Sequence, residues 1–299
     1  VYISAWLKCH LPAAFYCGLL NAQPMGFYTP SQLLQDAIRK GVQVRPIDVN
    51  HSEWFSTLED SLKGPVIRLG LHLIKGFKKQ AAIDLLNARV QSFVSLNDFR
   101  YRTELSKGDL EVLAHAHAFR TLTNNRFDSF WQLGDHESQL PLFRALTPPD
   151  ELYLPREPVL GETLIADFSS TRLSLEAHPM GLLRIKTPFK NCKRSSELLC
   201  LSQDLNLNVW VAGIVAAKQR PGSASGVVFI TLEDEEGHIN CIVWPKIVER
   251  FHNIILQSRL LKIRGSIQEK KGVIHIVANE LQDASLWLGK LIPSSRHFH

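Results

Sequence analysis

The residues best suited to bind a ligand are lysines beside two glycine turns in the middle of the chain. The segment Leu73–Lys79 is an apolar-glycine-apolar turn that precedes an amphipathic helical pattern, and a related pattern follows about 30 residues later. Helix N-termini and successive backbone N–H groups in such turns form concavities that favour a phosphate. The pattern predicts phosphate contacts that read no base; the alternative is two ordinary helical hairpins with solvated lysines. The candidate residues are Lys75, Gly76, Lys78, Lys79, Lys107 and Gly108.

The distribution of charge favours a polyanion site in the same segment. The 299 residues carry a net charge of +5, with 34 Lys and Arg against 29 Asp and Glu. Residues 68–130 hold ten basic and six acidic residues, a net charge of +4, whereas residues 1–67 are neutral. Residues 131–204 have a net charge of −2 and residues 205–299 of +3. Mild basicity concentrated in one segment indicates a local nucleic-acid site rather than a coating protein.

A second set of cations lies near the predicted turns of a β-rich segment, residues 208–285. Strand-like runs and one helix-like run follow the order β-β-β-α-β-β there, which is the order of a five-stranded OB-fold barrel. Such barrels bind single-stranded nucleic acid through a basic groove and stacked aromatic side chains. Apolar alternation assigns at least two of Trp210, Phe229 and Trp244 to the core, so we expect weak binding without base preference. The candidate cations are Lys218, Arg220, Arg264, Lys270 and Lys271.

An apolar pentapeptide, Gln139-Leu140-Pro141-Leu142-Phe143, interrupts a segment that is otherwise polar and rich in proline. Exposed Leu and Phe side chains are favourable where a partner supplies a pocket. Leu142 and Phe143 would be the buried anchors, with Leu140 as a further contact and Gln139 as a hydrogen-bonding residue. The alternative is a short apolar stretch that packs against the chain's own helices.

The sequence lacks the residue patterns of an independent catalyst. It contains no GxxxxGK[ST], GxSxG or HExxH motif. The acids Asp234 and Glu235 lie in a predicted hairpin turn, where acids are common, and His115 and His117 point to different faces of a predicted helix. The five cysteines have no zinc spacing and suit a reducing compartment, and no apolar run reaches the ~18 residues of a membrane span. We expect no catalysis by this chain alone.

Periodicity predicts a multidomain α+β chain with a mostly helical N-terminal half and a C-terminal barrel. Helices are predicted over residues 3–21 and from Pro30 to Gly41, and a strand over residues 42–49. The predicted divisions are residues 1–66, a tandem hairpin module at 67–130, a linker at 131–204, the barrel at 205–285 and a tail at 286–299.

Several longer motifs are specific enough to compare with known families. They are Ala5-Trp6-Leu7-Lys8-Cys9-His10, Gln23-Pro24-Met25-Gly26-Phe27-Tyr28, Val44-Arg45-Pro46-Ile47-Asp48-Val49-Asn50, Gln219-Arg220-Pro221-Gly222 and Thr231-Leu232-Glu233-Asp234. These motifs resemble those of the bacterial C-family DNA polymerases, the polymerase III alpha subunit family, and the likeness covers nearly the whole chain. Its end, Ser295-Arg296-His297-Phe298-His299, is similar to the terminus of the error-prone branch.

The resemblance implies the C-terminal part of an error-prone DNA polymerase that acts in damage-induced repair synthesis in the cytoplasm. Residues 1–66 would end the fingers region, the tandem helix-hairpin-helix module would hold duplex DNA, and the OB-fold would hold the template single strand. Gln139, Leu140, Leu142 and Phe143 would bind the bacterial sliding clamp, and other damage-response polymerase subunits are further candidate partners.

The same resemblance places the palm, with its catalytic acids and Mg²⁺, outside this chain. No catalytic residue and no cofactor is therefore assigned to it. Two alternatives remain at this point: a non-catalytic adaptor that bridges duplex and single-stranded DNA, and a truncated inactive gene product.

Overall fold

A computed structural model describes residues 2–25, 28–134, 156–201, 207–222, 226–270 and 272–291 of the chain. The chain divides into two compact units, Val1–Glu176 and Ala177–His299. Within the described residues, none of the helices combines the length and the apolar character that crossing a membrane requires.

The first unit is helical, with one small sheet. Strands β1 (Val44–Arg45), β2 (Thr57–Glu59) and β3 (Val66–Arg68) form the sheet in the order β1-β3-β2. A short 3₁₀ helix, Leu71–Leu73, follows β3. The helices of this unit are α1 (Tyr2–His10), α2 (Pro12–Asn21), α3 (Pro30–Arg39), α4 (Lys79–Ala88), α5 (Leu96–Thr103), α6 (Lys107–His115), α7 (Arg126–Gly134) and α8 (Leu160–Ser170).

Two elements near the N-terminus are shorter than their patterns predict. The helix expected over residues 3–21 is broken at Leu11, whose φ of −133° and ψ of 56° are not helical. Pro12 explains the break, because a proline ring disfavours the helical conformation of the residue before it. The strand expected over residues 42–49 is limited to Val44–Arg45. Asp48 is buried beyond it and accepts hydrogen bonds from Asn50 N at 2.8 Å and Thr121 N at 3.1 Å, so this stretch turns instead of extending.

One apolar core joins these elements. The aromatic side chains Phe93, Phe99 and Phe119 are buried and meet edge to face, with ring centroids 4.8 and 5.1 Å apart. Tyr16 of α2 and Leu85 of α4 belong to the same core. The hairpin turns described below are therefore attached to a rigid interior.

Helix α8 lies in the range that the sequence analysis assigns to a linker. Its Asp167 forms a buried ion pair with Arg126 of α7, with 2.5 Å between Oδ1 and Nη2. Ser170 O accepts the N–H of Lys75 at 2.7 Å, and Leu173 is buried in the core of the first unit. Prolines suggested a linker here, but Pro179 is the first residue of α9, where proline is favoured, and Pro158 lies two residues before α8.

The second unit contains two short helices, α9 (Pro179–Leu183) and α10 (Ser195–Leu201), and then a closed barrel. The barrel strands pair in the order β4-β5-β6-β8-β7, with two short helices between β6 and β7, so the predicted OB-fold order is confirmed. A 3₁₀ segment, Ser285–Leu291, ends the described chain. The barrel elements are β4 (Asn208–Gln219), β5 (Val228–Glu233), β6 (His238–Val243), α11 (Pro245–Arg250), α12 (His252–Gln257), β7 (Leu260–Lys270) and β8 (Val273–Asp283).

The barrel closes tightly at a glycine of β7. A Cβ atom on Gly265 would lie 2.2 Å from Val277 O, so no side chain fits at the bulge between β7 and β8. Buried branched residues, among them Val211, Ile263 and Ile276, fill the interior.

A buried polar network attaches the helices before the barrel to its β5–β6 turn. Asp234 accepts Ser195 N and Ser195 Oγ, each at 2.7 Å, and also Gly237 N at 2.8 Å. Arg184 donates to Asp234 at 3.2 Å and to Glu235 at 2.8 Å. The two acids that looked like ordinary turn residues therefore hold α9 and α10 in place.

Candidate nucleic-acid interface

The first hairpin turn has the open, cationic geometry that a phosphate needs. Gly76 adopts a φ of +86°, a left-handed conformation that side chains disfavour, and nothing lies near its missing Cβ. Ile74 and Phe77 on either side are buried, which fixes the turn to the core. Helix α4 begins two residues after Phe77, and neither a side-chain cap nor an acidic residue occupies its first turn. Its N–H groups and positive dipole end are therefore available to an anion.

The second hairpin turn has a different local chemistry. Ser106 caps α6 by accepting Asp109 N at 3.2 Å, and its hydroxyl also contacts the Asp109 carboxylate. Gly108 is the second residue of this helix and does not lie in the turn. The left-handed residue of this hairpin is Glu104, with a φ of +50°. Matching glycine to glycine therefore misaligned the two hairpins.

The correct alignment of the hairpins follows from the backbone. Gly76 and Glu104 are the left-handed residues, Phe77 and Leu105 the apolar residues that follow, and Lys78 and Ser106 the N-caps. The repeat length is 28 residues, read from the two left-handed positions.

The two hairpins differ in charge. The first presents exposed Lys75, Lys78 and Lys79, and no ion pair engages them within the described residues. The second presents Lys107 together with two acids, Glu104 and Asp109. An incoming phosphate is thus attracted by the first hairpin and partly repelled by the second.

Most other basic residues of this segment have structural partners. Arg89 donates to Val49 O and Ser52 O, and Arg102 donates to Ala88 O and Gln91 O. The remaining arginines with partners are Arg68 with Glu59, Arg120 with Glu176 and Arg126 with Asp167. The net charge of +4 thus overstates what is available to a ligand, and the lysines of the first hairpin carry most of it.

The candidate cations of the barrel do not form one cluster. Lys218 donates to Leu256 O at 3.2 Å and to Ser258 O at 2.8 Å, and burial lowers its pKa. It therefore holds the end of α12 and does not point to a ligand. Arg264 pairs in register with Trp210 and lies six residues from Lys270 on β7, which is about 20 Å along a strand. Lys271 lies outside the described residues.

Two exposed aromatic side chains lie on β5 and directly after the end of β6. Phe229 is 38% exposed and Trp244 is 53% exposed, so the expectation that two of the three aromatics are core residues is wrong. Val228 and Ile230 point inward, and alternation directs Phe229 outward, where it pairs in register with Ile242. The third aromatic, Trp210, is half-buried beneath Lys262, whose Nζ is 4.3 Å from the ring centroid.

Arg220 lies beside this aromatic face. A Cβ on Gly226 would be 3.8 Å from Arg220 Nη2 and 3.6 Å from the ring of Pro245, the residue after Trp244. The guanidinium thus lies at the same end of the barrel as the residue after Trp244, and Arg220 itself follows β4 in the β4–β5 connection that OB-folds use for oligonucleotides. One cation beside two outward aromatics is the arrangement that single-strand binding by stacking requires.

The candidate clamp-binding residues Gln139, Leu140, Leu142 and Phe143 lie outside the described residues. Both flanks of the segment that contains them are described and belong to the first unit. Arg156 places its guanidinium 5.0 Å from the Phe127 ring of α7.

Metal chemistry has no evident centre in the described part of the chain. No group of three or more His, Cys, Asp or Glu side chains converges there as ligands would. The described residues do not fit the Mg²⁺ pair of a polymerase palm, and we derive no step through such ions.

Comparisons with known proteins agree with this architecture. Residues 41–129 match a family described as a helix-hairpin-helix motif, and residues 209–284 match an OB-fold nucleic acid binding domain. An error-prone DNA polymerase of Teredinibacter turnerae is 45% identical over 310 residues, which covers 100% of this chain and 30% of that protein. The chain is a homologue of error-prone DNA polymerases.

Further relatives with the same name support the assignment. The error-prone DNA polymerase of Alkalilimnicola ehrlichii is 44% identical over 100% of this chain and 29% of that protein. That of Methylococcus capsulatus is 41% identical over 99% of this chain and 30% of that protein. The chain thus spans about 30% of the length of the error-prone polymerases that it matches, and its resemblance to the C-family is confirmed.

Proposed function

We propose that this chain is the DNA-binding part of an error-prone DNA polymerase, which acts in damage-induced repair and translesion synthesis. In this function the first hairpin grips duplex phosphates, and the barrel holds the template single strand. Nucleotidyl transfer and its Mg²⁺ ions belong to the part of the polymerase that this chain does not span. The uncapped, acid-free N-terminus of α4 beside three lysines is the observation that carries the proposal.

Duplex binding is assigned to the first hairpin because of its geometry and charge. Gly76 is exposed in the left-handed turn before the uncapped N-terminus of α4, and Lys75, Lys78 and Lys79 flank it in sequence and are exposed. These groups contact phosphates and no base edge, so the affinity should be independent of sequence. Lys107 is a weaker contributor because Asp109 shares its helix turn.

Single-strand binding is assigned to Phe229, Trp244 and Arg220. Base stacking on an aromatic ring is worth about 1–3 kcal/mol for each base. Two rings and one guanidinium give modest binding without base preference, in the same range as the sequence predicts. Lys270, exposed at the β7–β8 turn, is a further candidate for a backbone contact.

Salt-dependent DNA binding of the full chain tests the proposal. With a duplex oligonucleotide, log K should fall against log salt with a slope of about −3, as for three to four phosphate contacts. The variant Lys78→Ala/Lys79→Ala should reduce the slope by about 2. The charge-matched control Lys40→Ala/Lys63→Ala removes two exposed lysines elsewhere in the first unit and should change it little. Equal slopes for the two variants would refute the assignment.

The clamp interaction is a separate part of the proposal. Residues 139–143 are similar to the clamp-binding peptide of bacterial polymerases, and burial of Leu142 and Phe143 would supply roughly 3–6 kcal/mol before ordering costs. Isothermal titration of the full chain with a bacterial sliding clamp should give micromolar affinity. Leu142→Ala/Phe143→Ala should abolish it, and binding that survives this change would show that other residues hold the clamp.

A further inference from the structure

A cationic segment precedes the barrel, and the net negative charge of the longer range around it conceals this positive charge. Between Ala177 and Ser196 the chain carries five basic residues and no acid, although residues 131–204 as a whole are net negative. Arg184 and Arg194 are engaged by acids of the β5–β6 turn. Lys186, Lys190 and Lys193 are exposed.

These lysines lie on the outer side of an ordered segment. Lys190 N donates to Lys186 O at 3.2 Å, so the two residues are one helical turn apart and share a face. Phe189 and Cys192 are buried on the opposite side, and the Phe189 ring meets the Trp287 ring edge-on at 5.9 Å. The lysines are thus held toward solvent by a packed apolar underside.

The segment continues onto the barrel wall formed by β4 and β7. Lys193 N donates to Trp210 O at 2.6 Å, and Lys193 bridges Val211 in parallel. Lys262 on β7 covers the Trp210 ring, and Arg264 follows on the same outer face. Burial raises the pKa of the Cys192 thiol, and the charges of Lys262 and Arg184 oppose that rise, so Lys262 lies close to the segment.

The balance of charge on this surface is positive. Five cations take part: Lys186, Lys190, Lys193, Lys262 and Arg264. Two carboxylates oppose them, Glu197 at 3.9 Å from Lys193 Nζ and Glu280 in register with Arg264. This surface differs from the face with Phe229 and Trp244, because it is formed by β4 and β7 instead of β5 and β6.

We propose that Lys186, Lys190 and Lys193, together with Lys262 and Arg264, form a second track on the barrel unit that binds the phosphate backbone of a DNA single strand. The proposal rests on the proposed function, since the barrel matches a nucleic acid binding domain. Trp210 is covered by Lys262, so this track offers charge and no open ring for stacking. It therefore binds backbone only, and it lengthens the stretch of strand that the unit occupies.

Oligonucleotide binding by the full chain tests the second track. A labelled single-stranded 30-mer is titrated against Lys186→Ala/Lys190→Ala/Lys193→Ala at several salt concentrations. Loss of three phosphate contacts should reduce the salt slope by about 2 and the affinity by about 10-fold at low salt. A short 6-mer, which the aromatic face alone can hold, should bind the variant and the wild type alike.

Controls separate this proposal from the proposed function. Phe229→Ala/Trp244→Ala should weaken both the 6-mer and the 30-mer, and the control Lys40→Ala/Lys63→Ala should weaken neither. Failure of the wild type to bind any oligonucleotide would refute the proposed function itself. Wild-type behaviour of the triple lysine variant on the 30-mer would refute only the second track. Equal, lysine-dependent binding of polyglutamate would assign the surface to an acidic protein and overturn the DNA proposal.

Discussion

The role assigned to Lys218 changes once its hydrogen-bond partners are known. In the sequence it is a cation beside a loop, whereas in the structure it donates to two carbonyl oxygens at the end of α12. We expect Lys218→Met to lower the free energy of unfolding by about 1–2 kcal/mol, because charge-assisted hydrogen bonds are lost. Affinity for single strands should stay within twofold of the wild type. Thermal denaturation and fluorescence anisotropy measure the two effects, with Lys246→Met, an exposed lysine of α11, as the control.

His117 is predicted to make the first unit sensitive to acid. Burial lowers its pKa to about 3, with Arg120 and Arg126 lowering it further. The pKa in the folded chain is below the ordinary value near 6.5, so between pH 6.5 and 3 the unfolded chain binds more protons. The free energy of unfolding should therefore decrease as the pH is lowered from 6.5 to 3, by at most about 1.4 kcal/mol per pH unit.

The variant His117→Asn removes this titration and retains a residue that tolerates the left-handed φ of +53°. Urea denaturation at pH 7 and pH 5 should show a smaller difference for the variant than for the wild type. His10→Asn, an exposed histidine of α1, should behave like the wild type. An unchanged pH dependence in the His117 variant would contradict the assignment.

Some of these residue-level facts were available in the sequence and some were not. The outward direction of Phe229 follows from the inward Val228 and Ile230, so strict alternation would have found it. The role of Lys218 depends on which carbonyls the fold brings to it across 38 and 40 positions of chain. No local pattern contains that information.

At the scale of elements, the tandem hairpins show that equivalent positions can share a backbone conformation while they differ in residue type. The first hairpin uses Gly76 for its left-handed position and the second uses Glu104. Glu104→Gly should raise the free energy of unfolding by about 0.5–1 kcal/mol. A side chain in the left-handed conformation costs about 1–2 kcal/mol, and the larger backbone entropy that glycine loses on folding offsets part of the relief. Chemical denaturation measures the change. Glu104→Gln removes the charge but keeps a side chain in the left-handed conformation. If it stabilises the fold as much as Glu104→Gly does, charge repulsion and not backbone strain is the cause.

The alternation of apolar and polar residues predicted the barrel strands far better than the short helices before them. The barrel strands alternate over 6 to 12 residues, which is enough for their order to be read directly. Helices α9 and α10 have 5 and 7 residues and are held by the Arg184 and Asp234 network, which joins residues 50 positions apart. Tertiary hydrogen bonds of this kind fix short helices that propensity alone does not specify.

At the scale of the whole molecule, the chain is organised as two units, and the described helices on either side of the segment predicted to bind a clamp, α7 and α8, lie in the first. The helical module and α8 therefore belong to one unit, which ends at Glu176. The sequence suggested a boundary near residue 130 because composition changes there, but the contacts of α8 with α7 place those helices in the same unit.

Because of the buried Arg126–Asp167 ion pair, we expect α7 and α8 to stay together when the chain between them is cut. Two separately translated polypeptides, one ending at residue 134 and the other beginning at residue 156, should assemble and co-purify. The buried ion pair, the Lys75–Ser170 backbone bond and buried Leu164 and Leu173 supply the affinity. Asp167→Asn leaves a buried guanidinium without its counter-charge, at a cost of about 3–5 kcal/mol, and should separate the halves.

Arg120→Ala is the matched control for Asp167→Asn in the assembly of the two fragments. It breaks a second ion pair between the same two halves, with Glu176, but one that is partly exposed. Loss of an exposed pair costs about 1 kcal/mol or less, so the assembly should survive it. Halves that elute separately in size-exclusion chromatography without any substitution would show that the covalent link through residues 135–155, and not the helix contact, holds them together.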